Sequence, residues 1–140
     1  MNTSKARKNE LIRYADEVIR NSNIYENDII ISDSFNGQIA AFSVSIALSG
    51  LKPTLAVYYN SDASNTKIDR KKIIALLMAM CAKDSSHKGL FSDKGLSMVK
   101  NFYNEIIQSE GEKEKVIHRI IIEYAIALKL AIRTFKFKNS

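Results

Sequence analysis

The side chains of this 140-residue protein with reactive chemistry to offer are two histidines, one cysteine and fifteen carboxylates. His87 and His118 fall in different segments, and neither has a second ligand at metal-binding spacing. Cys81 has no companion in a CxxC pair. His118 reads as a polar residue at a helix boundary. Gly89 and Gly95 do not belong to a GxxxxGK[ST] phosphate loop, and Gly95 reads as part of the first turn of a helix. No serine occupies a nucleophile elbow. Asp28, Asp33 and Glu123 are scattered, with nothing to mark a paired acid and base. The expectation is a chain without catalysis, metal or cofactor.

Charge is more informative. The formal net charge is +6. Residues 1–66 hold six Lys/Arg against seven Asp/Glu, and residues 67–140 hold fifteen against eight, so the entire excess lies in the second half. A one-sided basic balance points to a polyanionic partner, although this charge also lies in the range that keeps small domains soluble. Two clusters carry it. Lys129, Arg133 and Lys136 follow Lys115, Arg119 and Glu123 along one polar face of the last helix, and no acid occurs after Glu123. Compensation of the helix dipole accounts for Lys136 and Lys138 better than for Lys129, two turns from the expected helix end. Lys67, Arg70, Lys71 and Lys72 form the second cluster, placed at a helix N-terminus capped by Asp69, where the dipole disfavours cations. Phosphate contacts at Arg70, Lys71, Lys129, Arg133 and Lys136 would be salt-sensitive and indifferent to sequence. Aromatic residues do not interleave with either cluster along the chain, so base stacking is not expected.

These residues need elements to position them. Hydrophobic residues make up 46% and charged residues 26% of the chain, a globular composition that argues against disorder and fits a single domain spanning 1–140. Leu11, Ala15 and Val18 give a helical stripe over 5–22. "IYENDIIISDS" reads as an irregular connection with a short buried piece at Ile29–Ile31. Phe35, Ile39, Phe42 and Ile46 share one face of a helix over 35–49, and no charge occurs from Phe35 through Leu51. That helix is expected to be central and enclosed by its neighbours. Gly50 suits a helix C′ position and Pro53 the first turn of a short helix over 53–60. A strand over "TLAVYY" is the rival reading, set aside for want of partner strands.

Further helices are expected from Asp69 to about Ala82, from Ser92–Asp93 through Leu96, Val99, Tyr103 and Ile106, and over roughly 113–137. The fold class is therefore all-α, a bundle of about six helices with a long C-terminal one. The opening "MNTSKARKNE" has no apolar core of a signal peptide, no run is long and apolar enough to span a membrane, and a single cysteine suits a reducing compartment. A cytoplasmic location is expected.

The stretch "NGQIAAFSVSIALSGLKPTLAVYYNSDASNTKIDRKKIIALLMAM" resembles the small, fifth subunit of the type III-B CRISPR Cmr effector complex. Ser49, Gly50, Leu51, Thr54, Leu55, Ala56 and Val57 match that family's (S/N)-G-L, two variable residues, T-L-A-F/V pattern. "LKLAIRTFKF" is similar to its aromatic and basic C-terminal segment, without the Trp that members often carry there. The resemblance implies a non-catalytic subunit of an antiviral ribonucleoprotein. Such subunits stack on copies of themselves as a minor filament, beside other Cmr subunits and facing the crRNA and target RNA. It implies no membrane and no small-molecule substrate. The small subunit of the type III-A Csm complex is a close rival, and a stand-alone helical regulator or interaction module is the alternative in another class.

Overall fold

In the computed structural model, which describes residues 4–60 and 65–138 (backbone alone for 65–69), the Leu11, Ala15, Val18, Ile19 stripe is the buried face of α1 (Lys5–Arg20). Ser4 caps it by accepting a hydrogen bond from the Arg7 amide at 3.1 Å. Five more helices follow: α2 (Ser34–Ser49), α3 (Leu51–Tyr59), α4 (Asn65–Lys83), α5 (Val99–Gln108) and α6 (Gly111–Ile132). The chain is all-α with a long C-terminal helix, as its periodicities predict.

The helix that organises the core is α6, not α2. Nine residues of α6 are buried, against the four that α2 turns inward, Phe35, Ile39, Phe42 and Ile46. Both α1 and α2 pack on α6. The uncharged sequence of α2 therefore does not mean enclosure: its outward face leaves Val44 58% and Leu48 81% exposed to solvent. Absence of charge on every face fits a helix covered on all sides. In this chain it leaves an apolar surface open instead.

Gly50 joins α2 to α3 without any intervening loop. Its amide donates to the Ile46 carbonyl at 2.8 Å, and its φ of +94° and ψ of 166° lie in a region essentially reserved for glycine. Leu51 consequently opens α3, and Pro53 sits within its first turn, where no backbone donor is required. Thr54, 1% exposed, pairs with the Ser45 hydroxyl at 2.8 Å and ties the two helices. The helical reading of "TLAVYY" holds, because α3 packs against α2, α4 and α5 rather than beside a strand.

Four boundaries differ from their predicted positions. First, the connection after α1 is a hairpin, β1 (Tyr25–Glu26) and β2 (Ile29–Ile30), closed by Asn27 and Asp28 at φ of 52° and 68°. Two positive-φ residues make the tight turn that suits strand twist. Second, α6 stops at Ile132, and the chain returns as β3 (Lys136–Phe137), parallel to β2. Phe135 fixes that return: Tyr25 meets its ring edge-on at 5.4 Å and Arg20 lies 4.9 Å above it. Third, α4 begins at Asn65, so Asp69 lies inside the helix and is not its cap. Fourth, residues 93–97 form a separate turn held by Ser92, whose hydroxyl accepts from the Gly95 amide at 2.9 Å and donates to Glu105. Met98 is extended, so α5 starts only at Val99. His118 lies within α6 rather than at a boundary.

Candidate nucleic-acid interface

The revised boundaries sort the two basic clusters. With α6 ending at Ile132, Lys129 falls in its last turn and is partly buried, while exposed Arg133 is the C-cap residue. Cations there stabilise the helix by about 0.3–1 kcal/mol each, which accounts for both without a ligand. Exposed Lys136 is on β3, off the helix altogether. The polar face expected on α6 is also interrupted by Ile126 and Leu130, each 43% exposed. Glu123 on that face is engaged with Arg7.

Arg70 and Lys71 sit in the second turn of α4, beyond the reach of the dipole argument made from sequence. The Arg70 Nε donates to Gln38 Oε1 at 3.3 Å, and its guanidinium lies 5.3 Å from the Tyr58 ring centre. Arg70 thus ties α4 to α2 and α3. Lys71 is exposed, with its ammonium 5.3 Å from the centre of the Tyr59 ring. The side chains of Lys67 and Asp69 lie outside the described residues.

Aromatic residues do stand among these cations, contrary to the reading along the chain. Tyr59, the last residue of α3, stacks on Tyr103 of α5 with ring centres 4.2 Å apart and planes 7° from parallel. Beside the pair runs a broad groove of about 430 Å³ lined by Tyr59, Lys71, Lys72, Ala75, Val99 and Lys100. Among the described residues, no carboxylate lies within ion-pair reach of Lys71, Lys72 or Lys100. Lys100 and Tyr103 carried no sequence signal for this role. They are 29 and 32 residues from Lys71, and only the packing of α5 on α3 and α4 brings them in.

A second polar constellation lies at the other end of α4. Asp84 has a fully buried carboxylate that accepts from Arg7 Nη1 and Nη2 at 2.8 Å each, from the Tyr124 hydroxyl at 2.5 Å, from His87 Nδ1 at 3.0 Å and from the Ser86 amide at 3.2 Å. Burial opposes its ionisation, but the hydrogen bonds from Arg7, Tyr124 and His87 outweigh it and hold the carboxyl well below the usual carboxylate range. Burial pushes the Tyr124 hydroxyl up, as it does the neighbouring Cys81 thiol, so both stay protonated. A carboxylate with five donors has no lone pair free for a substrate proton. The cluster fastens α1, α4 and α6 together. Sequence reasoning passed over Asp84 because its main partners, Arg7 and Tyr124, are 77 and 40 residues away.

Comparison of the chain with protein-family models, with curated proteins and with solved structures finds no match.

Proposed function

We propose that this chain is a non-catalytic small subunit of a type III-B CRISPR (Cmr) ribonucleoprotein, stacked in its minor filament and contacting RNA in antiviral defence. The resemblance over residues 49–57 supplies the family. The observation that carries the assembly role is the outward face of α2, where Val44 and Leu48 stand open on a helix with no charged residue. Large apolar side chains left open one helical turn apart are candidates for a contact surface. A head-to-tail filament needs two different faces per subunit, and the Ile126 and Leu130 positions on α6 supply a second exposed apolar area.

The RNA role is supported by the basic second half of the sequence and by Lys71, Lys72 and Lys100, which have no carboxylate within ion-pair reach among the described residues. Cleavage and nucleotide chemistry would belong to other subunits. Co-expression with the remaining Cmr subunits tests the proposal: the chain is expected to co-purify with them, and a chain that stays alone overturns it. The paired substitution Lys129→Glu and Arg133→Glu separates two roles for the end of α6. A loss of target RNA binding by the folded, assembled variant would give these residues a part in RNA contact. Unchanged binding would leave them as helix-end cations only.

A further inference from the structure

We propose that the groove between α3, α4 and α5 is a subsite for one nucleotide of single-stranded RNA, the base lying against Tyr59 and the adjacent phosphates on Lys71, Lys72 and Lys100. This rests on the reading that the chain contacts RNA, and it assigns the place and the chemistry of that contact.

The walls of the groove select the ligand class. Tyr59, Ala75 and Val99 offer an aromatic and apolar lining, and the three lysines supply the charge. A ligand that is planar and apolar on one side and anionic on the other matches both. Nucleotides with free base faces have that character, and base–aromatic stacking tolerates any sequence. In a duplex the base faces are hidden by their neighbours, which leaves the aromatic wall without a partner.

The aromatic wall is held in place before a ligand arrives. Tyr103 does not line the groove but lies flat against Tyr59, fixing its ring. The Lys71 ammonium lies over the Tyr59 ring, 5.3 Å from its centre, and the base takes that face as Lys71 swings to the phosphate. Arg70 is already engaged with Gln38 and Tyr58 and is left out of the subsite.

The electrostatics of the groove call for an anion. Lysines from two helices converge on it with no described carboxylate to neutralise them. Lys100 is also the second residue of α5, where the helix dipole disfavours a cation. That helix starts with no capping side chain and no acid in its first turn, and its first two residues, Val99 and Lys100, line the groove. A phosphate there would meet both the amides and the ammonium groups.

The test is fluorescence anisotropy of the full-length chain with a labelled 12-nucleotide oligouridylate, repeated over a salt series. Lys71→Glu with Lys100→Glu is expected to weaken binding at least tenfold and to flatten the salt dependence, since each lost phosphate contact removes about 0.7 from the logarithmic slope. Tyr59→Leu is expected to weaken binding about tenfold with the slope unchanged, and Tyr59→Phe to stay within about twofold because the ring remains. Weakening by the lysine changes alone, with Tyr59→Leu neutral, would reduce the groove to a charge patch and overturn the subsite. Groove variants that bind as tightly as the parent, while Lys129→Glu with Arg133→Glu loses RNA, would overturn it and leave the RNA-contact reading standing. A parent chain that binds no oligouridylate at low salt overturns the RNA-contact reading itself. Photocrosslinking of the unaltered chain to 4-thiouridine RNA guards against misfolded variants. Adducts on Tyr59 are expected, and adducts confined to other segments overturn the proposal.

Discussion

Arg7, in the first turn of α1, closes a two-bond fork on Asp84 at the end of α4, with both N···O distances at 2.8 Å. An acid at a helix C-terminus opposes the helix dipole, and this one is also fully out of water. The fork reverses both penalties and at the same time fixes α1 against α4. Tyr124 brings α6 into the same arrangement. The clamp is therefore a tertiary joint among three helices.

Removing Arg7 leaves a buried carboxylate without its charge partner, and removing Asp84 strips the Arg7 guanidinium of its two-bond partner and leaves it Glu123 at 3.3 Å. Arg7→Met and Asp84→Ala are each expected to lower unfolding free energy by about 3–5 kcal/mol, and Tyr124→Phe by about 1–3 kcal/mol. Urea unfolding followed by circular dichroism measures this. In a double-mutant cycle the Arg7 and Asp84 changes should cost less together than the sum of their separate effects.

Acid should weaken the protein through the same carboxylate. The folded state holds Asp84 below its ordinary range, so its contribution is fully present above the unfolded carboxyl value of about 3.9 and is lost as pH falls below it. Urea midpoints taken between pH 7 and pH 2 are expected to drop in the acid range. An Asp84→Asn variant, less stable at neutral pH, should lose less over the same interval.

The α2–α3 joint is a backbone matter. A Cβ at Gly50 would lie 3.7 Å from Pro53 Cδ, an ordinary contact, so the cost of Gly50→Ala comes from φ alone. About 1–3 kcal/mol is expected, readable as a lowered thermal midpoint with helix content retained.

Charge on the open face of α2 should spare the fold and harm assembly. Val44→Lys with Leu48→Lys is expected to change the stability of the free chain by less than about 0.5 kcal/mol per site. Co-purification with partner subunits should fall. Equal recovery in the complex would show that this face is not the one used.

Helix periodicity was legible because it is local. Phe35, Ile39, Phe42 and Ile46 define an inward stripe by spacing alone, and Gly50 marks a break that only its backbone freedom permits. The same signals placed six helices in the right order. The hairpin left a trace in Asn27–Asp28, between Glu26 and Ile29, but its pairing with β3 joins segments more than a hundred residues apart. The end of α6 had no Gly or Pro to announce it. The last turn closes where Phe135 finds Tyr25 and Arg20.

By itself, then, the sequence determined an all-α chain, the α2–α3 turn and a basic second half, each of which depends on neighbours along the chain. Tertiary structure alone decided which faces stay open and which polar groups meet. Exposure of α2 depends on what packs against it, and hydrophobicity has no direction. The Asp84 clamp and the Tyr59–Tyr103 groove depend on residues from three helices arriving at one point. Charge counting found Lys71 and Lys72 of that groove, but only packing added Lys100 and set the three beside an aromatic wall.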